Sequence, residues 1–341
     1  MKNLKRKYTV FFCVFWVFVL PCFANEFHNF TISLEPLVGY QHGMLYEYVY
    51  VKTDDGGTRL LSELDWKNTL LYAGGKLNIA YKIFTFFVGG GAYFPMRSGT
   101  MEDSDWLNEN DYSMKTNFSI SENSLKSGGF FSTGFYAAIP VARILNVCPR
   151  ISADLQKKTF SAENGYGWYG NKIPCSWDDE KAIYYPTGEL YGISYERLDF
   201  SILTGLSLGV KPVSFLQLAF AFDVSFFSLV DSLDTHFGSS SNAYYYDKCY
   251  AFFSFGKATL DAAFSISKYI ALKASASCTF PFSSDIRGTT YFSSNEVSGY
   301  SRSSESVSGA SSRLWDFSIS IIFKDLQKVK LHLSDAQFLR R

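Results

Sequence analysis

The sequence predicts an all-β protein: a ten-stranded antiparallel transmembrane β-barrel with short periplasmic turns and long extracellular loops. Three observations predict it. A basic, apolar leader directs export. The segments after it alternate apolar and polar residues with period two. Short and long connections alternate between those segments.

The leader is "MKNLKRKYTVFFCVFWVFVLPCFA". Lys2, Lys5, Arg6 and Lys7 precede an apolar run from Val10 to Leu20, and Pro21 and the small Ala24 follow. This order is that of a secretory signal, 1–24, with cleavage expected after Ala24; the run is too short for a comfortable membrane span. Cys22 raises a lipid-anchored alternative, but Pro21 beside it fits a lipobox poorly. The leader carries four bases and no acid, so the remaining charge is 28 − 32, about −4. Such a balance lacks the basic stripe of a nucleic-acid binder. Cys148, Cys175, Cys249 and Cys278 remain, in a compartment that permits disulfides, and four cysteines allow three pairings.

Strand follows strand from there. In "FSILTGLSLGV", Phe200, Ile202, Leu206, Leu208 and Val210 share one face, and Ser201, Gly205, Ser207 and Gly209 the other. "LQLAFAFDVSF" sets Leu216, Leu218, Phe220, Phe222, Val224 and Phe226 against Gln217, Ala219, Ala221, Asp223 and Ser225. "WDFSISIIF" repeats the pattern from Trp315 to Phe323. Each strand therefore has one apolar and one polar face.

A soluble sandwich alternates too, so the connections decide. Tight turns are expected near Tyr81–Lys82, Ile139–Pro140, Lys211–Pro212 and Ser267–Lys268. Longer polar segments fall near 52–57, 99–124, 163–190, 231–246 and 284–305. That rhythm is a barrel's. Several strands run to about twenty residues where roughly 9–11 cross a bilayer, which lifts the rim above the membrane. The barrel is read over 25–323, with a C-terminal extension over 324–341. "VGGGAYF" (Val88–Phe94) lacks a following helix and is read as barrel wall.

Two polar pairs stand out at the rim. "GTMEDSDWL" holds Asp103 and Asp105; "VDSLDTHFG" holds Asp234 and His236. Each pair is spaced i, i+2, so its side chains project to the same side of an extended chain. Each is an ordinary feature of a polar loop when taken alone. In a closed ten-stranded barrel, however, the two loops face each other across the mouth. His236 then suits a general base oriented by Asp234, with Asp103 and Asp105 holding a water from the far side and sharing a proton. Parity poses a difficulty. Counted from Phe222 and Val224, Asp234 and His236 fall in the outward phase, and a bulge between about Phe227 and Asp231 is required to turn them in.

Other chemistries are poorly supported. A calcium loop fails because Leu107 and Asn108 stand where Asp/Asn and Gly are needed. There is no His-Glu-x-x-His and no Gly-x-Ser-x-Gly. With His28, His42, His236 and His332 alone, a histidine-rich metal site is improbable. No cofactor and no metal are expected.

Three stretches resemble the omptin family of bacterial outer-membrane aspartyl endoproteases: "LSELDWK" (Leu61–Lys67), "GTMEDSDWL" and "LDTHF". The resemblance extends thinly over all ten strands. It implies that Asp103 and Asp105 are the catalytic aspartate couple, Asp234 and His236 the dyad, and that cleavage falls near basic residues. It places Glu47 and Met101 in the substrate pocket, with Ser232 where the family has a second acid. Asp231 beside it points to the other face. One acid instead of two should weaken discrimination for Arg or Lys. The family's lipopolysaccharide clamp corresponds to Ala153–Lys157 and keeps only a base, which leaves activation by lipopolysaccharide open. Peptide or protein substrates at the cell surface and outer-membrane lipid are the implied partners, for a monomer with its site facing the exterior. A noncatalytic surface barrel, an adhesin or binding protein, is the alternative; a passive porin ranks lower, because side chains fill so narrow a lumen.

Overall fold

The computed structural model describes residues 30–239, 241–294, 300–303, 306–324 and 326. The leader and the extension after Leu326 lie outside the described residues. Strands make up one antiparallel sheet that closes on itself. The first pass is β1 (Phe30–Lys52), and the second is β2 (Thr58–Lys67) with β3 (Leu70–Tyr81), both paired to β1. β4 (Phe84–Tyr93) and β5 (Met96–Asp105) form the third; β6 (Asn117–Ala137) and β7 (Ile139–Ala142) form the fourth. β8 (Leu145–Tyr169) is the fifth, β9 (Ile183–Leu190) with β10 (Ile193–Val213) the sixth, and β11 (Leu216–His236) the seventh. β12 (Ala243–Ala251) and β13 (Phe255–Ser265) follow, then β14 (Ile270–Pro281) and β15 (Ile286–Ser293). The last pass holds the two-residue β16 (Ser301–Arg302) and β17 (Ser306–Phe323). β17 pairs with β1 from Leu34↔Phe323 to Val51↔Ser306, which closes the ring.

The long connections are shorter than the sequence suggests, because the strands climb further. The segment read as a loop over 99–124 is strand to Asp105 and again from Asn117. Likewise 231–246 is strand to His236 and from Ala243. Both proposed pairs thus stand on strand ends, where ladder bonds hold them. At the other end the turns centre on Lys82–Ile83, Arg143–Ile144 and Ser214–Phe215, so two lie a few residues beyond the expected places. All four cysteines are free.

Outward positions such as Val38, Leu206, Phe220, Leu260 and Ile319 are exposed and apolar, as a bilayer-facing belt requires. The lumen is filled in layers. Near the turn end Lys273 pairs with Glu35 at 3.1 Å and Arg150 with Asp223 at 3.1 Å. Above them Tyr72 Oη donates to Asp316 at 2.6 Å, and Lys158 Nζ to Gln41 Oε1 at 2.6 Å. An apolar plug follows, with Trp66 stacked on Tyr195 at 4.9 Å and packed on Phe160. Gly91 lets the wall approach this layer, since a Cβ there would meet Ala73 O at 2.3 Å and the Phe130 ring at 2.6 Å.

The required bulge exists, one residue before the expected interval. On β11, Ser225 pairs with Leu203 and Phe227 with Ile202, so Phe226 is the extra residue. Below it Ala221, Asp223 and Ser225 are buried; above it Ser228, Val230, Ser232 and Asp234 are. The inward phase passes from odd to even numbers. The neighbouring pass breaks at the same height, between β12 and β13, and there Ser225 Oγ accepts from the backbone N–H groups of Ser254 at 2.9 Å and Phe255 at 3.0 Å. Ser254 Oγ donates to Ser228 Oγ at 2.8 Å. Outside, Phe226 packs against Phe252 and Phe253.

Ser225 is fully buried, and a buried N–H left without a partner costs about 1–3 kcal/mol. Ser225→Ala strands two, so it should destabilise the folded barrel by roughly 2–4 kcal/mol in urea unfolding. Exposed Ser239→Ala should change stability by less than about 0.5 kcal/mol. Equal effects of the two changes would contradict this account of the bulge.

Candidate active site

The wall formed by β2, β5 and β6 carries the acidic pair. Asp103 lies between Leu64 and Ser119 in the ladder, and Asp105 between Ser62 and Asn117. Ser62 Oγ donates to Asp103 Oδ1 at 3.5 Å, and Asn117 Nδ2 to Asp105 Oδ2 at 2.9 Å. The strand end is tied down beyond them. Trp106 N–H donates to Leu61 O at 2.8 Å, Arg59 Nη1 to Trp106 O at 2.8 Å, and Thr116 N–H to Asp105 O at 2.7 Å. The tryptophan beside the pair therefore marks a fastened strand end rather than a free loop tip.

The opposite wall carries the second pair. Asp234 lies between Tyr195 and Tyr245, and His236 between Ile193 and Ala243. His236 Nε2 and Asp234 Oδ2 are 2.5 Å apart. The side chain of His236 keeps 39% of its exposure and that of Asp234 only 4%, so the ring meets solvent in the mouth while its partner does not. With Nε2–H given to Asp234, Nδ1 is left to take a proton from whatever enters.

Electrostatics link the two walls. Burial alone would lower the proton affinity of His236. The charge of Asp234 and its hydrogen bond, aided by Asp103 and Asp105 opposite, carry it instead up to about 9. Burial and then the charge of Asp105 push Asp103 up to about 8, with His236 opposing. Asp105 is raised by burial as well, against the hydrogen bonds from Asn117 and Ser62. Two neighbouring carboxyls that resist joint ionisation can hold one proton between them. Acid and base groups thus meet over one cleft, an arrangement able to polarise a water and, when the His236 ring is neutral, to accept its proton.

The other residues singled out in the sequence are buried near this cleft. Met101 belongs to the apolar plug beside Trp66. Glu47 lies level with Leu64 and Ala310, and Ser232 level with Arg197 and Asp247. Asp231 has the opposite phase and lies beside Tyr246. Asp247, directly across from Ser232 in the ladder, is a further buried carboxyl. Tyr169 and Tyr245 were also missed. Tyr169 is pushed up to about 12 by burial and by Asp103 and Asp105, and the Tyr245 ring lies 5.4 Å from that of His236. Aspartate and tyrosine in "NAYYYDKCY" carry no motif, and only the inward phase of β12 would have identified them.

A closed all-β barrel with an acid–base cluster in its mouth defines the class of this protein. The sequence model of the Omptin family matches residues 28–324, and the chain belongs to the omptin family. The crystal structure of the outer membrane protease OmpT from Escherichia coli superposes with a TM-score of 0.72 at 17% identity, covering 86% of this chain and 96% of that one. The translocator domain of the autotransporter NalP from Neisseria meningitidis gives a TM-score of 0.33 at 11% identity, over 85% and 88% of the two chains. No curated protein matches the sequence.

The electrostatic account predicts that an NMR titration of the His236 ring places its midpoint above the ordinary imidazole range near 6.5. Asp234→Asn should lower that midpoint, since it removes the anion that favours the charged ring. A midpoint that does not move would contradict the pairing.

Proposed function

We propose that this protein is an outer-membrane endopeptidase that hydrolyses peptide bonds near basic residues, with its site facing the exterior. The reading rests above all on one observation: the Asp234–His236 pair and the Asp103–Asp105 pair meet in the same mouth, and each wall shifts the proton affinity of the other. Family membership and the OmpT-like fold agree with it.

In this mechanism a water lies between the walls. The neutral form of His236, whose fraction grows as the pH rises toward its elevated midpoint, takes the water's proton at Nδ1 as the water attacks the scissile carbonyl, and Asp234 stabilises the resulting imidazolium through Nε2–H. Asp103 and Asp105 hold the water from the far side with their shared proton. The same protonated ring then returns a proton to the leaving amine. No cofactor takes part in these steps, and activation by lipopolysaccharide is tested directly.

The barrel, refolded in detergent with and without lipopolysaccharide, should cut members of a fluorogenic peptide library. Asp103→Ala and His236→Ala should each lower kcat by about 10²–10⁴, the usual worth of a positioned acid or base. A well-folded barrel that cuts nothing under either lipid condition would support the noncatalytic, binding alternative instead.

A further inference from the structure

The two carboxyls of the acidic couple stand in unequal surroundings. Asp105 faces Asn117 across the β5–β6 ladder, and Asn117 Nδ2 donates to Asp105 Oδ2 at 2.9 Å. Asp103 has no such donor among the described residues: the Ser62 hydroxyl stands 3.5 Å from its Oδ1, at the outer limit of a hydrogen bond. Ser62 favours the ionised form of both carboxyls and so does not separate them. Asn117 does.

An amide can turn over and present its oxygen instead, so what holds its other end matters. Asn117 is 4% exposed, and its Oδ1 accepts from the backbone N–H of Asn171 at 3.4 Å. A backbone N–H can only donate, so the amide oxygen faces Asn171 and the nitrogen faces Asp105. The connection after β8 that carries this N–H is fastened to the same stretch at two further points. Thr116 O accepts from Gly170 N–H at 2.8 Å, and Lys115 O from Trp177 N–H at 3.1 Å. Three consecutive residues, 115–117, are thus held from outside. They in turn grip the backbone of Asp105, whose carbonyl accepts from Thr116 N–H at 2.7 Å and from Thr116 Oγ1 at 3.1 Å.

A donor of fixed direction favours a carboxylate over a carboxylic acid, because its bond strengthens with negative charge. Burial raises Asp105, and the Asn117 bond leads the influences that lower it. Asp103, without that bond, is carried up to about 8 by burial and by the charge of Asp105. We infer that Asn117 is a positioning residue: it holds Asp105 as the anion of the couple and leaves the shared proton on Asp103. Asp105 then accepts an O–H of the attacking water, and Asp103 offers a donor beside it. This place in catalysis rests on the endopeptidase reading; the order in which the two carboxyls ionise does not.

NMR of isotope-labelled aspartate carboxyls in the refolded barrel measures that order. Asp103→Asn and Asp105→Asn assign the two signals. As the pH rises, wild-type Asp105 should lose its proton before Asp103. In Asn117→Ala the Asp105 step should move to higher pH and the Asp103 step to lower, since a neighbour that ionises later repels it less. A wild type in which Asp103 ionises first would overturn the inference, whether or not the variant folds. So would a folded Asn117→Ala in which neither step moves.

Kinetics supply a second readout. On a fluorogenic peptide that wild type cuts, Asn117→Ala should lower kcat about 10- to 100-fold, the contribution of a hydrogen bond to a charged group, and leave KM nearly unchanged. No loss, or a loss confined to KM, would contradict the positioning role. If folded wild type cuts no peptide, the endopeptidase reading fails by itself, and the titration still decides between Asp103 and Asp105.

Discussion

In a closed barrel every side chain points either into the lumen or out of it, and that constraint governs the whole structure. β11 must turn Phe220, Phe222 and Val224 toward lipid, and Ser232, Asp234 and His236 toward the cleft. Strict alternation cannot do both, because all six numbers are even. The extra residue Phe226 resolves the conflict by inverting the phase. The inversion leaves backbone N–H groups without ladder partners on the adjoining pass, and Ser225 satisfies them from within. The inward placement of the rim residues thus goes together with a small buried hydroxyl well below them.

The layers of the lumen follow from the same closure. Charges that face inward near the turn end are neutralised locally, as Lys273 is by Glu35. The apolar plug around Trp66 then occupies the lumen beneath the cleft. A plug of this kind opposes a through-channel and keeps the floor of the cleft poorly hydrated. Poor hydration is the leading cause that raises Asp103 and Glu47, and it strengthens the response of His236 to its neighbours. Packing and electrostatics are here two aspects of one arrangement.

Much of this was legible in the sequence, because period-two alternation and turn spacing are local properties. Phe200–Val210 and Trp315–Phe323 declare their faces without reference to anything distant. The pairing of Asp103 and Asp105 with Asp234 and His236 was legible too, since the order of connections fixes which strands end at the mouth. Strand ends were misjudged: Thr100–Asp105 and Asn117–Ser124 are rich in polar residues, yet they stay in the ladder because their neighbours extend equally far. Parity revealed that a bulge was needed, but its place depends on the break opposite at Phe252–Ser254, a long-range feature.

The central claim is therefore about phase, and it can be measured directly. Nitroxide labels placed one at a time from Leu218 to His236, in a barrel whose native cysteines are serine and which sits in a bilayer, report which positions face outward. The account predicts mobile labels at even positions up to Phe226 and at odd positions from Leu229 onward, with the inversion at Phe226–Phe227. A single unbroken phase from Leu218 to His236 would place the dyad outside the barrel and contradict the account.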